Sequence, residues 1–151
     1  MLRRIAIILL PVALLAVAAH AGEKLRVNVD TDRVAINGYD TVAYFTEERA
    51  VEGSAEFEHA WQDARWRFAS AEHRDLFAAD PERYAPRYGG FCTGGMALGR
   101  LWTIDPEAWA IVDDRLYLNF RKSGRDEFVE DPEPYIERAD ANWAKLNQAD
   151  D

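Results

Sequence analysis

Between Ala55 and Phe68 apolar and polar residues alternate: Phe57, His59 and Trp61 share one face, Gln62 and Asp63 interrupt, and Ala64, Trp66 and Phe68 share one face. Alternation of this length around two turn-forming residues predicts an antiparallel β-hairpin. The period then changes. Ser70 precedes a helical stretch in which Leu76 and Phe77 are expected to point inward, and Asp80 with Pro81 predicts a second helix start that carries Tyr84. The reason is that a side-chain acceptor ahead of a proline satisfies the free amides of a first turn.

The same order returns further along. Trp109 to Val112, a turn at Asp113 and Asp114, and Leu116 to Phe120 predict a second hairpin with Leu116, Leu118 and Phe120 on one face. A helix with Phe128 inward follows. Asp131 and Pro132 then open a helix whose buried stripe is Tyr135, Ala139, Trp143 and Leu146 at helical spacing. Phe68, Phe77 and the run Asp80, Pro81, Glu82, x, Tyr84 are matched by Phe120, Phe128 and Asp131, Pro132, Glu133, x, Tyr135 at nearly equal offsets. The expectation is an α+β fold of two antiparallel β-hairpin plus helix units, pseudo-symmetric, that form a small sheet packed by helices. An Asp-Pro-Glu triplet also stands at Asp105 to Glu107 outside this order, so internal duplication and recurrent capping chemistry both account for the match.

Length and charge narrow the function. A chain of 151 residues buries one proper core more readily than two. With 18 basic against 27 acidic residues it lacks the basic face that a nucleic-acid binder needs to displace counterions. The single cysteine, Cys92, excludes an intramolecular disulfide framework, zinc ribbons and iron-sulfur clusters.

Arg3 and Arg4, the apolar run Ile5 to Ala19, and Ala19, His20, Ala21 read as a secretory signal over residues 1–21, with the mature domain at 22–151. The run is broken by Pro11 and falls short of the ~20 residues a spanning helix needs. A soluble periplasmic or secreted protein, free of the membrane after signal removal, is expected. Free thiols are uncommon in such compartments, which makes Cys92 worth explaining.

Cys92 lies in the block Tyr88, Gly89, Gly90, Phe91, Cys92, Thr93, Gly94, Gly95, Met96. Glycines here permit unusual backbone conformations and close approach of a partner. A helix start at Cys92 would favour the thiolate, the form that binds metals and attacks disulfides. A small buried hydrophobe is the structural alternative. His59 and His73 are the histidines left after signal removal. With Cys92 and Met96 they make a soft-to-borderline donor set of the kind copper prefers. No histidine stands between Cys92 and Met96, so a blue-copper centre is not indicated. No Gly-x-Ser-x-Gly elbow, His-Glu-x-x-His helix or phosphate-cradling loop is present either. The tryptophans and tyrosines fall mostly at inward positions and are assigned to the core.

Asn37, Gly38, Tyr39, Asp40 with Val42, Ala43, Tyr44, Phe45 resemble the opening signature of the secreted YHS domain-containing proteins. The likeness runs on through Trp66, Phe68, Phe77, the Tyr88 to Cys92 block, Leu116 to Asn119, and Ala139 to Trp143. The resemblance implies an association with heavy metals. It also implies a chemically active position at Cys92, since some members are similar to selenoproteins in this block. Short YHS modules offer cysteines where this chain has Ala69 and His73, so a multi-thiolate site does not carry over. Asp113 and Asp114 stand where relatives usually show aspartate and glycine, and Thr41 where they often have proline.

Three functions follow as expectations. The first is a non-enzymatic soft-metal module, for copper above all, with Cys92 as thiolate, His59 as first imidazole, and His73 and Met96 as further donors. The second is a thiol or peroxide redox protein in which Cys92 is the attacking thiolate, a nearby imidazole, His59 or His73, is its base, and, with no resolving cysteine, a small external thiol or a second subunit completes the cycle. The third is an interaction domain whose cysteine only packs. A homodimer through the Cys92 thiol is compatible with each.

Overall fold

The computed structural model describes residues 26–148; the expected signal segment and its cleavage point lie outside them. The chain enters as an extended segment and a tight 3₁₀ turn, Ile36–Gly38, then makes a short helix α1, Ala43–Thr46. A hairpin follows, β1 Ser54–Trp61 and β2 Ala64–Phe68, and then the helices α2 Ala71–Ala79 and α3 Pro81–Tyr84. After the glycine-rich turn comes the one-turn helix α4, Thr93–Ala97. The second hairpin is β3 Asp105–Val112 and β4 Arg115–Asn119, followed by α5 Lys122–Glu130 and the long α6 Pro132–Gln148. No helix of the described residues is long and apolar enough to cross a membrane.

The expected elements form for the expected reasons. Gln62, Asp63 and Asp113, Asp114 all adopt positive φ, from 49° to 58°, the paired left-handed geometry that matches the twist of a two-residue hairpin turn. The Ser70 side chain accepts from the His73 amide at the start of α2, and Asp80 accepts from the Arg83 amide at the start of α3. Along α6 Ala139 is buried, with Tyr135, Trp143 and Leu146 packed beside it.

Three details differ from expectation. The hairpins stay as two separate two-stranded ladders. The free edge of β2 is occupied by the incoming chain: the Ala35 amide donates to the Arg65 carbonyl and the Arg65 amide to the Arg33 carbonyl. Leu76 is exposed while Phe77 is fully buried, because α2 has room for one large side chain against Trp66 and Phe68. Phe120 lies past the end of β4 and is exposed. Strand β4 itself is buried on both faces. Leu116 and Leu118 join the core built on Trp66, Phe68 and Phe77, while Tyr117 joins a second core with Met96, Phe128 and Ala139.

The two hairpin units share more than their order. Each first strand has 8 residues, each second strand 5, and each following helix 9. The ladder is interrupted at the same place in both, between Ser54 and Glu58 and between Asp105 and Trp109. Ser54 pairs with Phe68, the last residue of β2, as Asp105 pairs with Asn119, the last residue of β4.

Candidate functional site

The end of β4 is where the chemistry gathers. Cys92 is the N-cap of α4, and its Sγ accepts hydrogen bonds from the Gly95 amide at 3.4 Å and the Phe120 amide at 3.3 Å. The short helix is pinned on three sides. Thr93 Oγ1 donates to the Leu118 carbonyl at 3.0 Å, Asn142 Nδ2 donates from α6 to the Met96 carbonyl at 3.0 Å, and the Cys92 amide donates to the Trp102 carbonyl at 3.0 Å. A helix of one turn contributes almost no stability of its own, so these side-chain and loop contacts are what fix the sulfur.

Cys92 is 4 % exposed, and that exposure opens onto a cavity of about 780 Å³. Its walls come from α4, the loop after it, the β4–α5 junction and α6, with Leu98, Leu101, Trp102 and Phe120 as the apolar rim. Among the described residues these four are among the six large hydrophobics that are exposed, so apolar surface is concentrated here. Arg121, Arg138 and Glu127 also line the space, and the Arg138 guanidinium stacks over the Tyr135 ring at 5.5 Å. Asn119 stands in the same wall, 1 % exposed, and its Nδ2 has no hydrogen-bond partner among the described residues.

The glycines of the block divide by role. A Cβ on Gly89 would lie 1.9 Å from the Arg26 carbonyl oxygen, and Gly89 accepts from the Asn28 amide. The close partner expected at that glycine is therefore the protein's own N-terminal segment. Gly94 faces the cavity, and a Cβ there would meet only the Cys92 Sγ, at 3.9 Å.

The other candidate donors sit elsewhere. His59 packs edge-on against Phe77, ring centroids 6.0 Å apart. Met96 is fully buried in the second core. His73 is bound to a carboxylate: its Nδ1 lies 2.7 Å from Asp40 Oδ2, and its Nε2 lies 3.2 Å from Thr46 Oγ1. None of the three lines the Cys92 cavity. Among the described residues no group of three or more His, Cys, Asp or Glu side chains is placed to hold a metal ion.

Asp40 explains the motif Asn37, Gly38, Tyr39, Asp40. Its fully buried carboxylate accepts from the Val42 amide at 2.9 Å and the Ala43 amide at 3.2 Å through Oδ1, and from the Ala69 amide at 2.9 Å through Oδ2. It starts α1 and receives the first amide after β2. Cys92 does the corresponding work in the second unit, where its sulfur starts α4 and receives the first amide after β4, that of Phe120. Sequence reasoning missed both Asp40 and Asn119 as site-forming residues.

Two tyrosines mark the strongest electrostatic perturbations. Burial raises the Tyr88 phenol far above its ordinary value of 10.0, helped by its 2.9 Å hydrogen bond to the Asp140 carboxylate. Burial likewise raises Tyr44, whose hydroxyl donates to the Pro106 carbonyl. Neither lines the Cys92 cavity; both tie elements together. Comparison with protein-family models, with curated proteins and with solved structures finds no match for this chain.

Proposed function

We propose that the protein is a thiol-dependent peroxide reductase in which Cys92 is the attacking sulfur. The observation that carries this reading is that Cys92 Sγ occupies, in the wall of an open cavity, the acceptor role that the Asp40 carboxylate fills in the first unit. Two backbone N–H groups aimed at one atom suit an anion, because hydrogen bonds to charged acceptors are about twice as strong as those to neutral ones. A sulfur nucleophile gains from such fixed dipoles without reorganising them.

The Cys92 sulfur attacks one oxygen of a hydroperoxide ROOH, the O–O bond breaks, and the thiol proton ends on the departing alkoxide, giving Cys–SOH and ROH. The sulfur is oxidised and the peroxide reduced. With Cys92 the single cysteine of the chain, an external small thiol R′SH then condenses with the sulfenic acid, releasing water. A second R′SH frees Cys92 and leaves R′SSR′.

The test is trapping of a sulfenic acid on the reduced mature protein with a 1,3-diketone reagent after addition of hydroperoxide, read by mass spectrometry, with Cys92→Ser as control. Adduct at Cys92 together with peroxide consumption supports the proposal. An unmodified Cys92 after exposure to hydroperoxide sinks it. Stoichiometric Cu(I) binding lost in both Cys92→Ser and His59→Ala would favour the soft-metal module instead.

A further inference from the structure

Resting on the thiol reading above, we infer that the cavity selects a bulky apolar organic hydroperoxide over hydrogen peroxide, and that Asn119 Nδ2 is the donor that binds the peroxide oxygen beside Cys92.

The two hairpin units differ at matching positions. The last residue of β2 is Phe68, fully buried in the core, and the last residue of β4 is Asn119, also buried. An amide thus replaces an aromatic ring in a place that shields it from water. A buried polar group with no partner is costly; the Asn119 nitrogen is buried and unpaired among the described residues, and Asn119 lines the same cavity as Cys92. Such a group is accounted for if a ligand supplies the acceptor.

The third residue of α2 is His73, whose imidazole fills the space in front of Asp40. The third residue of α5 is Gly124, which lines the cavity in front of Cys92. The room beside the sulfur therefore exists because a ring in one unit is a hydrogen atom in the other. Likewise Ser70 caps α2 with its hydroxyl, whereas Arg121 makes no side-chain cap on α5 and lines the cavity.

The remainder of the space sets the substrate class. About 780 Å³ lies within the range that drug-sized ligands occupy and is far more than hydrogen peroxide fills. Leu98, Leu101, Trp102 and Phe120 offer apolar walls, which reward an organic substituent by its buried area. On this assignment the R group lies on Trp102 and Phe120 and the O–O bond is met by Asn119 and Cys92, all four of which line the one cavity.

Single-turnover oxidation of Cys92 by cumene hydroperoxide and by hydrogen peroxide, followed by stopped-flow fluorescence, tests the assignment. The wild type is expected to prefer cumene hydroperoxide by about tenfold or more, and Trp102→Ala to narrow that ratio. Asn119→Leu should slow oxidation by cumene hydroperoxide about tenfold, the worth of one hydrogen bond, while melting no lower than wild type, since it removes an unpaired buried donor. Asn119→Ala provides a smaller replacement if leucine overpacks. Cumyl alcohol, the product, should bind Cys92→Ser and lose affinity when Asn119→Leu is added, a readout that needs no redox step. Equal rates with the two peroxides, or Asn119 variants that match wild type in both rate and alcohol binding, overturn the inference while leaving the thiol reading intact. No oxidation of Cys92 by either peroxide removes the thiol reading and this inference together.

Discussion

Replacing Cys92 separates what its sulfur holds together from what it does. Cys92→Ala withdraws the acceptor from two amides at once, those of Gly95 and Phe120. Loss of the N-cap bond at Gly95 costs about 1 kcal/mol by comparison with other capping residues. Leaving the Phe120 amide without an acceptor costs about 1–2 kcal/mol. The variant should lose about 2–3 kcal/mol, which for a domain of this size lowers Tm by about 8–12 °C. Cys92→Ser keeps an acceptor at the same place, and serine is a preferred N-cap, so it should stay within about 1 kcal/mol of wild type. Thermal unfolding followed by far-ultraviolet circular dichroism measures both. Peroxide reduction should be abolished in each, so that only the serine variant pairs full stability with no chemistry. If Cys92→Ala melts with wild type, the sulfur is not the acceptor of these amides and its correspondence with Asp40 fails. If Cys92→Ser melts as low as the alanine variant, sulfur packing and not hydrogen bonding is what the site requires.

Three further outcomes follow from the same contacts. Gly94→Leu projects into the cavity with only the Cys92 Sγ near its Cβ, so it should slow alkylation of Cys92 by a bulky maleimide by about tenfold or more while leaving Tm unchanged or higher, because glycine is the poorer helix former; unchanged alkylation would show that the thiol is reached by another route. Asp40→Ala strands the buried Val42 and Ala43 amides, the part-buried Ala69 amide and the His73 imidazole, a loss of about 3–5 kcal/mol that urea denaturation should register as a large fall in midpoint, and an unchanged midpoint would refute the clamp. Folding raises the phenol values of Tyr44 and Tyr88, so the stability they contribute is fully present below their ordinary value of 10.0 and is lost as pH rises above it toward the folded values. Tyr88→Phe should lessen that alkaline loss in denaturation curves recorded across the range, and an identical pH dependence would refute the assignment.

The hairpins, the caps and the stripe of α6 were legible because each depends on local periodicity or on one capping side chain. Phe120 was misplaced for a physical reason: β4 is buried on both faces, so alternation carries no information about which residues point where, and the strand ends at Asn119. Leu76 was misplaced because its helical neighbour Phe77 takes the single core position that α2 offers. The Asp40 clamp was hidden for a different reason. Its partners, Ala69 and His73, lie about thirty residues away, and their proximity depends on how the first hairpin folds back.

The site was within one residue of being visible. Matching Phe68 with Phe120 by residue type sets aside the equal helix lengths. Matching strand end to strand end pairs Phe68 with Asn119, Ala69 with Phe120, Ser70 with Arg121 and His73 with Gly124. A one-residue slip in a strand moves every side chain to the opposite face, and here it hid the four differences whose second-unit members, Asn119, Phe120, Arg121 and Gly124, line the cavity. In that corrected register the first unit has a buried carboxylate bound to an imidazole, whereas the second has a sulfur that shares a cavity with a glycine and with an asparagine whose amide nitrogen is unpaired among the described residues. Two hairpin units of equal element lengths thus hold a carboxylate bound to an imidazole in one case and a sulfur lining an open cavity in the other, and the proposed chemistry rests on that contrast more than on the presence of a thiol.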